Sequence, residues 1–266
     1  MKRFARIRTK NFTAKPLMGT IPTDHRAVVR LGSTSSTESI FGKFPKTPPV
    51  EVNTIQAIEN SRSKLKMKNC FAKESVPQAT WWDSISAISH DEEKLPYPLV
   101  VKRVFGFKGH GMQLLEDQNQ LNTWISAHGR EEGWFFEKFY NYAREYRLHV
   151  SSASGVFMSW RKLRKSDAEQ RWFFNSSNSN WVGVDHELFD IPKCWPAMET
   201  AAIGALHSTG LDIGAVDIRV QSSKIEKPEF IVCEINSAPA LGGRGIEVYK
   251  KEIALIINFK HNGNTN

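Results

Sequence analysis

The sequence is poor in cysteine. It has three, Cys70, Cys194 and Cys233, far apart and odd in number. They fit no disulfide framework and no zinc-ligand spacing, so a reducing, cytosolic setting is the simplest reading. No apolar run approaches the roughly 18 residues that a membrane-spanning helix needs. The start, MKRFARIRTK, is basic but leads into no apolar stretch, which reads against a secretory signal. The phosphate-loop pattern GxxxxGK[ST] is missing, as is the dinucleotide fingerprint after a first strand. No internal repeat is visible. The expectation is a cytoplasmic globular protein with no membrane partner.

What is present is ordinary in bulk. Of 266 residues, 40% are apolar and 24% charged, enough for one or two domains with a real core. The net charge of +8 is uneven. Residues 1–30 carry Lys2, Arg3, Arg6, Arg8, Lys10, Lys15, Arg26 and Arg30 against Asp24, so that this segment holds +7 of it. Such an arm suits a polyanion, nucleic acid included, and is equally a solvated tail.

Residues 1–26 show no clear period and read as a basic arm or irregular lead-in. AVVRLGS (27–33) reads as a strand, and 32–39 and 42–49 as loops. One helix is expected from Thr54 to Lys73, capped by Asn53, with Ile55, Ile58, Leu65 and Phe71 inward. ATWW (79–82) reads as a strand, 84–94 as a helix and 99–102 as a strand. A helix over 117–128 ends at Gly129, and 134–139 is a short apolar strand. Beyond it come strands at 146–152, 156–163, 175–180, 213–220 and 229–236, with one helix at 197–209. The order predicts an α+β fold with a helix-flanked antiparallel sheet.

The chemistry lies in GAVDIRV and FIVCEIN. Asp217 sits inside an apolar strand, where a lone carboxylate is costly. Glu234 and Asn236 are two apart, hence on one face of theirs. Two carboxylates and an amide oxygen suit Mg²⁺, which takes a few protein oxygens plus substrate phosphates. An ion pair of Asp217 with Arg219 or another base is the alternative. Lys102 ends a strand just before GFKGHGM, whose Gly106, Gly109 and Gly111 could offer backbone N–H groups to phosphate. His110 in that loop either touches phosphate or is simply exposed. Trp81, Trp82, Trp134 and Trp172 read as packing residues. In RKLRK, Arg161 and Leu163 point one way, Lys162 and Arg164 the other.

Taken in order, LPYPLVVKRVFGFKGHGM, FFEKFY, AREYRLHV, VFMSWRKLRK, GAVDIRV and FIVCEINSAPAL resemble the ATP-grasp superfamily. The nearest likeness is to glutamate-adding peptide ligases and D-alanine–D-alanine ligases, over about residues 54–258. EINSAPAL is the most specific piece, close to E-x-N-x-x-P-G, with Ala240 in place of the final glycine. The RLGST strand and short length resemble members carried by bacteriophages, which would place the chain in a host cytoplasm.

The resemblance implies an ATP-grasp fold: two α+β subdomains, 76–138 and 139–266, gripping ATP, behind a short α/β region at 27–75 and the arm at 1–26. It implies Lys64 and Lys102 on the phosphates, and 106–111 as a flap over them. Glu137, Lys138 and Tyr140 would meet the adenine, and Glu145 the ribose. Asp217, Glu234 and Asn236 would hold Mg²⁺, two ions in all, with Mn²⁺ able to substitute. Arg161 and Arg219 are grouped as catalytic, and Asn175 and Asn178 lie toward the acceptor. The implied reaction joins a carboxylic acid to an amine through an acyl-phosphate; related ligases often form dimers or tetramers, and the sequence leaves the oligomeric state of this chain open. A non-catalytic ATP-binding module docked by its basic arm and a phosphotransferase are the other readings.

Overall fold

The structure is a computed structural model. It describes residues 4–9, 17, 19–23, 25–41, 49–90, 95–106, 109, 111–168, 172–175, 178–221 and 229–263. Three sheets organise it. The first contains β1 (Phe4–Thr9), β2 (Gly19–Pro22), β3 (Ala27–Leu31) and β4 (Val50–Val52), in the order β2-β1-β3-β4. β3 runs parallel to both β1 and β4 and is buried along its whole length, as an interior parallel strand should be. Even its Arg30 is fully buried. It donates to Ser35 O and Thr37 Oγ1, both at 2.8 Å, and pairs with Glu51.

The segment read as an irregular lead-in thus supplies two strands. Their pairing is long-range, β1 with β3, and leaves no local period. Arg6 donates to Ile40 O, so Arg6 and Arg30 are turned inward rather than out along an arm. A short helix, α1 (Thr37–Phe41), occupies part of the loop expected at 32–39.

The single helix expected over 54–73 is two, α2 (Ile55–Arg62) and α3 (Lys64–Lys73). Ser63 between them is extended, and its hydroxyl accepts from Lys66 N–H, so it caps α3. Thr54, not Asn53, caps α2. Asn53 sits in the left-handed region at φ 58°, fully buried. Its amide donates to Arg30 O and Ile213 O, and its oxygen accepts from Asp212 N–H and Ile213 N–H.

The second sheet contains β5 (Trp81–Trp82), β6 (Leu99–Arg103), β7 (Gln113–Leu115) and β8 (Trp134–Lys138). It is antiparallel, in the order β5-β8-β6-β7. Trp82, Val101, Leu115 and Phe136 form its core with Ile88 of α4 (Ile85–His90) and with Leu121 and Trp124 of α5 (Gln118–His128). The rest of the helix expected over 84–94, at 91–94, lies outside the described residues. Asp117 caps α5.

The third sheet is antiparallel: β9 (Arg144–Ser151), β10 (Gly155–Arg164), β11 (Ser179–Gly183), β12 (Ile213–Val220) and β13 (Phe230–Asn236), in the order β11-β10-β9-β12-β13. One face carries Tyr146, Leu148, Val216, Ile218 and Val232. They pack on α6 (Trp195–Thr209) and on Ile58, Met67 and Phe71 of α2 and α3. The other face carries Glu145, Arg147, His149 and Ser151 in sequence. Its far end is covered by α7 (Gly243–Gly263), where Tyr249 meets His149 Nδ1 at 2.7 Å and Glu252 meets Ser151. Ile253, Ile256 and Ile257 of α7 belong to the same core as Ile7, Val29, Leu31 and Val52 of the first sheet. The sequence reading gave no element here. The near end of the charged face, at Glu145 and Arg147, is left to the site.

Candidate active site

The site is a line of charge between the second and third sheets. β8 presents Glu137, 4% exposed. Lys102 of β6 reaches it from the neighbouring strand, and Lys68 comes from α3. Burial alone would raise the Glu137 carboxyl. Lys102 and Lys68 more than offset this and hold it at about 2. Burial pulls Lys102 below the usual lysine range. Glu137 offsets only part of that, because Arg219 and Lys68 add repulsion.

Across the gap, cross-strand neighbours pair on one face of the third sheet. Glu145 accepts from Lys162 of β10 and, at 3.0 Å, from Arg219 of β12. Burial opposes its charge, yet the two cations hold its carboxyl below the usual value. Asp217 lies opposite Arg147, which donates to both carboxylate oxygens at 2.7 Å, and Lys162 stands 3.7 Å away. Trp181 packs against the two cations, with its ring 4.6 Å from Arg147 and 4.8 Å from Lys162. Glu234 faces Asp217 across β12 and β13, beside a bulge after Asp217. It accepts from Lys64 at 2.8 Å and from Asn236 Nδ2 at 3.2 Å. Lys64 is the main cause that lowers the Glu234 carboxyl. Six cations therefore meet four carboxylates, a surplus suited to a polyanionic ligand.

Lys64 and Lys68 are one turn apart on α3, and they reach different sheets, Glu234 on the third and Glu137 on the second. The Lys64 N–H also donates to Val104 O at 3.0 Å, docking the helix on the end of β6. A cavity of about 430 Å³ opens beside the cluster, lined in part by Phe139, Tyr142, Lys162, Arg164, Trp172 and Phe174. Cys233, half-buried at the edge of the cluster, has its thiol pushed up to about 11 by burial.

The structure brings together Lys64, Lys102, Glu137, Glu145, Asp217, Arg219, Glu234 and Asn236. The ion pair weighed for Asp217 exists, but with Arg147 rather than Arg219. Gly106, Gly109 and Gly111 follow β6, and His110 lies outside the described residues. Gly109 is left-handed at φ 77°, and a Cβ there would run into the Phe173 ring. Lys138 is exposed at the end of β8. Tyr140 buries a hydroxyl that has no hydrogen-bond partner among the described residues. Asn175 and Asn178 spend side-chain bonds on each other's backbone N–H, bracing their loop.

Arg161 lies apart from this cluster and lines the neighbouring cavity. It pairs with Asp190 and donates to Leu188 O, and its cross-strand partner is Tyr146. Tyr146 belongs to the helix-covered face, so Arg161 points away from the carboxylates. Lys162 is the residue of that run on the charged face, and Arg147 and Lys68 also went unread. Arg147 carried a usable signal, since it is two residues from Glu145 and hence on the same face. Lys68 is one turn beyond Lys64.

No family model matches the sequence, and no curated protein matches it significantly. Solved structures do. N5-carboxyaminoimidazole synthetase from Staphylococcus aureus, complexed with ADP, is 16% identical with a TM-score of 0.63, over 87% of this chain and 60% of that one. D-alanine–D-alanine ligase from Bacillus anthracis, complexed with ATP, is 15% identical with a TM-score of 0.62, over 90% of this chain and 81% of that one. D-alanyl-alanine synthetase A from Vibrio cholerae is 14% identical with a TM-score of 0.63, over 90% and 77%. The chain has the ATP-grasp fold.

Asp217, Glu234 and Asn236 carry oxygen donors of the kind a magnesium ion takes, on strands in register. Among the described residues no group of three acidic, histidine or cysteine side chains could hold a metal.

Proposed function

We propose that the chain is an ATP- and Mg²⁺-dependent, ADP-forming ligase that joins a carboxylic acid to an amine. The observation that carries this is the cluster of six cations and four carboxylates between the two sheets of an ATP-grasp fold. Neighbouring structures of that fold carry ATP or ADP. In this reading residues 76–138 and 139–266 are the small and large subdomains.

Lys64, Lys102, Lys162 and Arg219 neutralise phosphate charge, where positioning and electrostatics supply most of the rate. Glu137 and Glu145, each held by two cations, orient the nucleoside part near the 430 Å³ cavity. Asp217, Glu234 and Asn236 would hold the divalent ion, which neutralises charge on the transferring phosphate. The acid substrate's carboxylate attacks the γ-phosphorus and ADP leaves. The amine then attacks the acyl-phosphate carbonyl and phosphate leaves. In this reading the glycine loop, whose Gly109 lies against Phe173, would serve as the flap that excludes water from that intermediate.

ADP release dependent on both an acid and an amine, across a broad panel of each, is the expected result. Turnover trapped as a hydroxamate by hydroxylamine supports the acyl-phosphate. A phosphorylated product stable to hydroxylamine would make the chain a phosphotransferase instead. ADP release at background across the panel would remove the ligase reading.

A further inference from the structure

The carboxylates that would take a metal are already engaged by the chain's own cations. Arg147 covers both oxygens of Asp217 at 2.7 Å, and Lys64 holds Glu234 at 2.8 Å. Both cations are mostly buried, at 13% and 19% exposed, so solvent weakens these pairs little. A divalent ion brought to Asp217 would sit against the guanidinium charge, on a carboxylate that already gives one lone pair of each oxygen to Arg147. Trp181 packs beside Arg147, so the guanidinium has a surface to slide along when it leaves the carboxylate.

We propose that Arg147 is a positioning residue that occupies Asp217 in the free protein and passes to the triphosphate when nucleotide binds, so that metal uptake is gated by nucleotide. The proposal rests on the nucleotide-binding reading above. Lys64 acts in the same sense on Glu234. The exchange keeps charge balanced at each stage: guanidinium on carboxylate before binding, guanidinium on phosphate and metal on carboxylate after. The cost of freeing Asp217 lowers the apparent metal affinity of the free chain by the fraction of molecules in which Asp217 is unpaired.

The test is Mn²⁺ binding to the full chain, read from the electron spin resonance signal of free Mn²⁺, with and without a non-hydrolysable ATP analogue. The wild-type chain should bind Mn²⁺ at least about a hundredfold more tightly with the analogue than without it. Without nucleotide, Arg147→Met should bind Mn²⁺ about tenfold more tightly than wild type. Arg147→Lys, which keeps the charge but loses the bidentate grip, should fall between them. Should Arg147→Met fail to fold, Lys64→Met tests the same exchange at Glu234 and should shift Mn²⁺ affinity in the same direction. Equal Mn²⁺ affinity of the nucleotide-free wild type and the folded variant would overturn the gate. If Mn²⁺ tightens with the analogue under that result, the nucleotide reading survives. If the analogue does not bind with Mn²⁺ present, that reading fails on its own evidence.

Discussion

At the scale of single residues, the site is a set of carboxylates whose charge is maintained by cations against burial. Asp217→Asn and Glu234→Gln each remove a proposed metal oxygen while keeping shape. ADP release should fall by at least about 10²-fold, with near-ultraviolet circular dichroism unchanged. Wild-type turnover in either variant would mean that the metal is held elsewhere. Glu137 gives a prediction in pH. Its carboxyl sits at about 2 in the folded protein against an ordinary 4.5. A depressed folded pKa means stability present above about 4.5 and lost as pH falls through about 2. Thermal unfolding followed over that window should show a steep loss in wild type and a flatter profile in Glu137→Gln. Parallel profiles would show that Glu137 contributes nothing to acid sensitivity. Of these residues, Asp217, Glu234 and Asn236 were legible because acids in apolar strands are conspicuous. Arg161 lies apart from the cluster for a physical reason. A period of two separates the faces of a strand, but not which face a helix will cover.

At the scale of elements, the segments legible in the sequence are those whose local chemistry is strong. β12 and β13 are apolar runs, and α5 has a capping aspartate and a glycine stop. α3 is held by a serine cap, and Ser63→Ala should cost about 1 kcal/mol. That is a drop in melting temperature of about 2–4 °C, readable by calorimetry. An unchanged melting temperature would make the Ser63 cap irrelevant. In the flap, Gly109→Ala meets both a left-handed backbone and the Phe173 ring. It should lower kcat/KM about tenfold. Adding Phe173→Leu should recover part of the loss, since it relieves only the ring clash. Undiminished kcat/KM in Gly109→Ala would show that the flap does not close on Phe173 during turnover. What was not legible were elements defined by distant partners. β1 and β2 are specified by β3, and α7 by the two sheets it joins. Its Tyr249, Ile253, Ile256 and Ile257 do carry helical spacing, a signal that was there to be read.

At the scale of the whole molecule, α7 and Asn53 tie the first sheet to the third. Asn53→Ala would strand two buried carbonyls and two buried N–H groups. The cost should be about 3 kcal/mol or more. Hydrogen exchange should then show β3, β12 and α7 losing protection together, while β6 and β8, which have their own core, keep theirs. Loss confined to β3 would show that the two sheets are not coupled.

The two lysines of α3 set a further condition on the molecule. Neighbouring turns of a helix are spaced by a fixed pitch of about 5.4 Å. Lys64 and Lys68 are therefore a ruler laid across the cleft, one end on each jaw. One residue inserted between them would turn Lys68 by about 100° and point it away from Glu137. The gauge of the mouth is written in the pitch of a helix that packs on the third sheet and reaches across to the second.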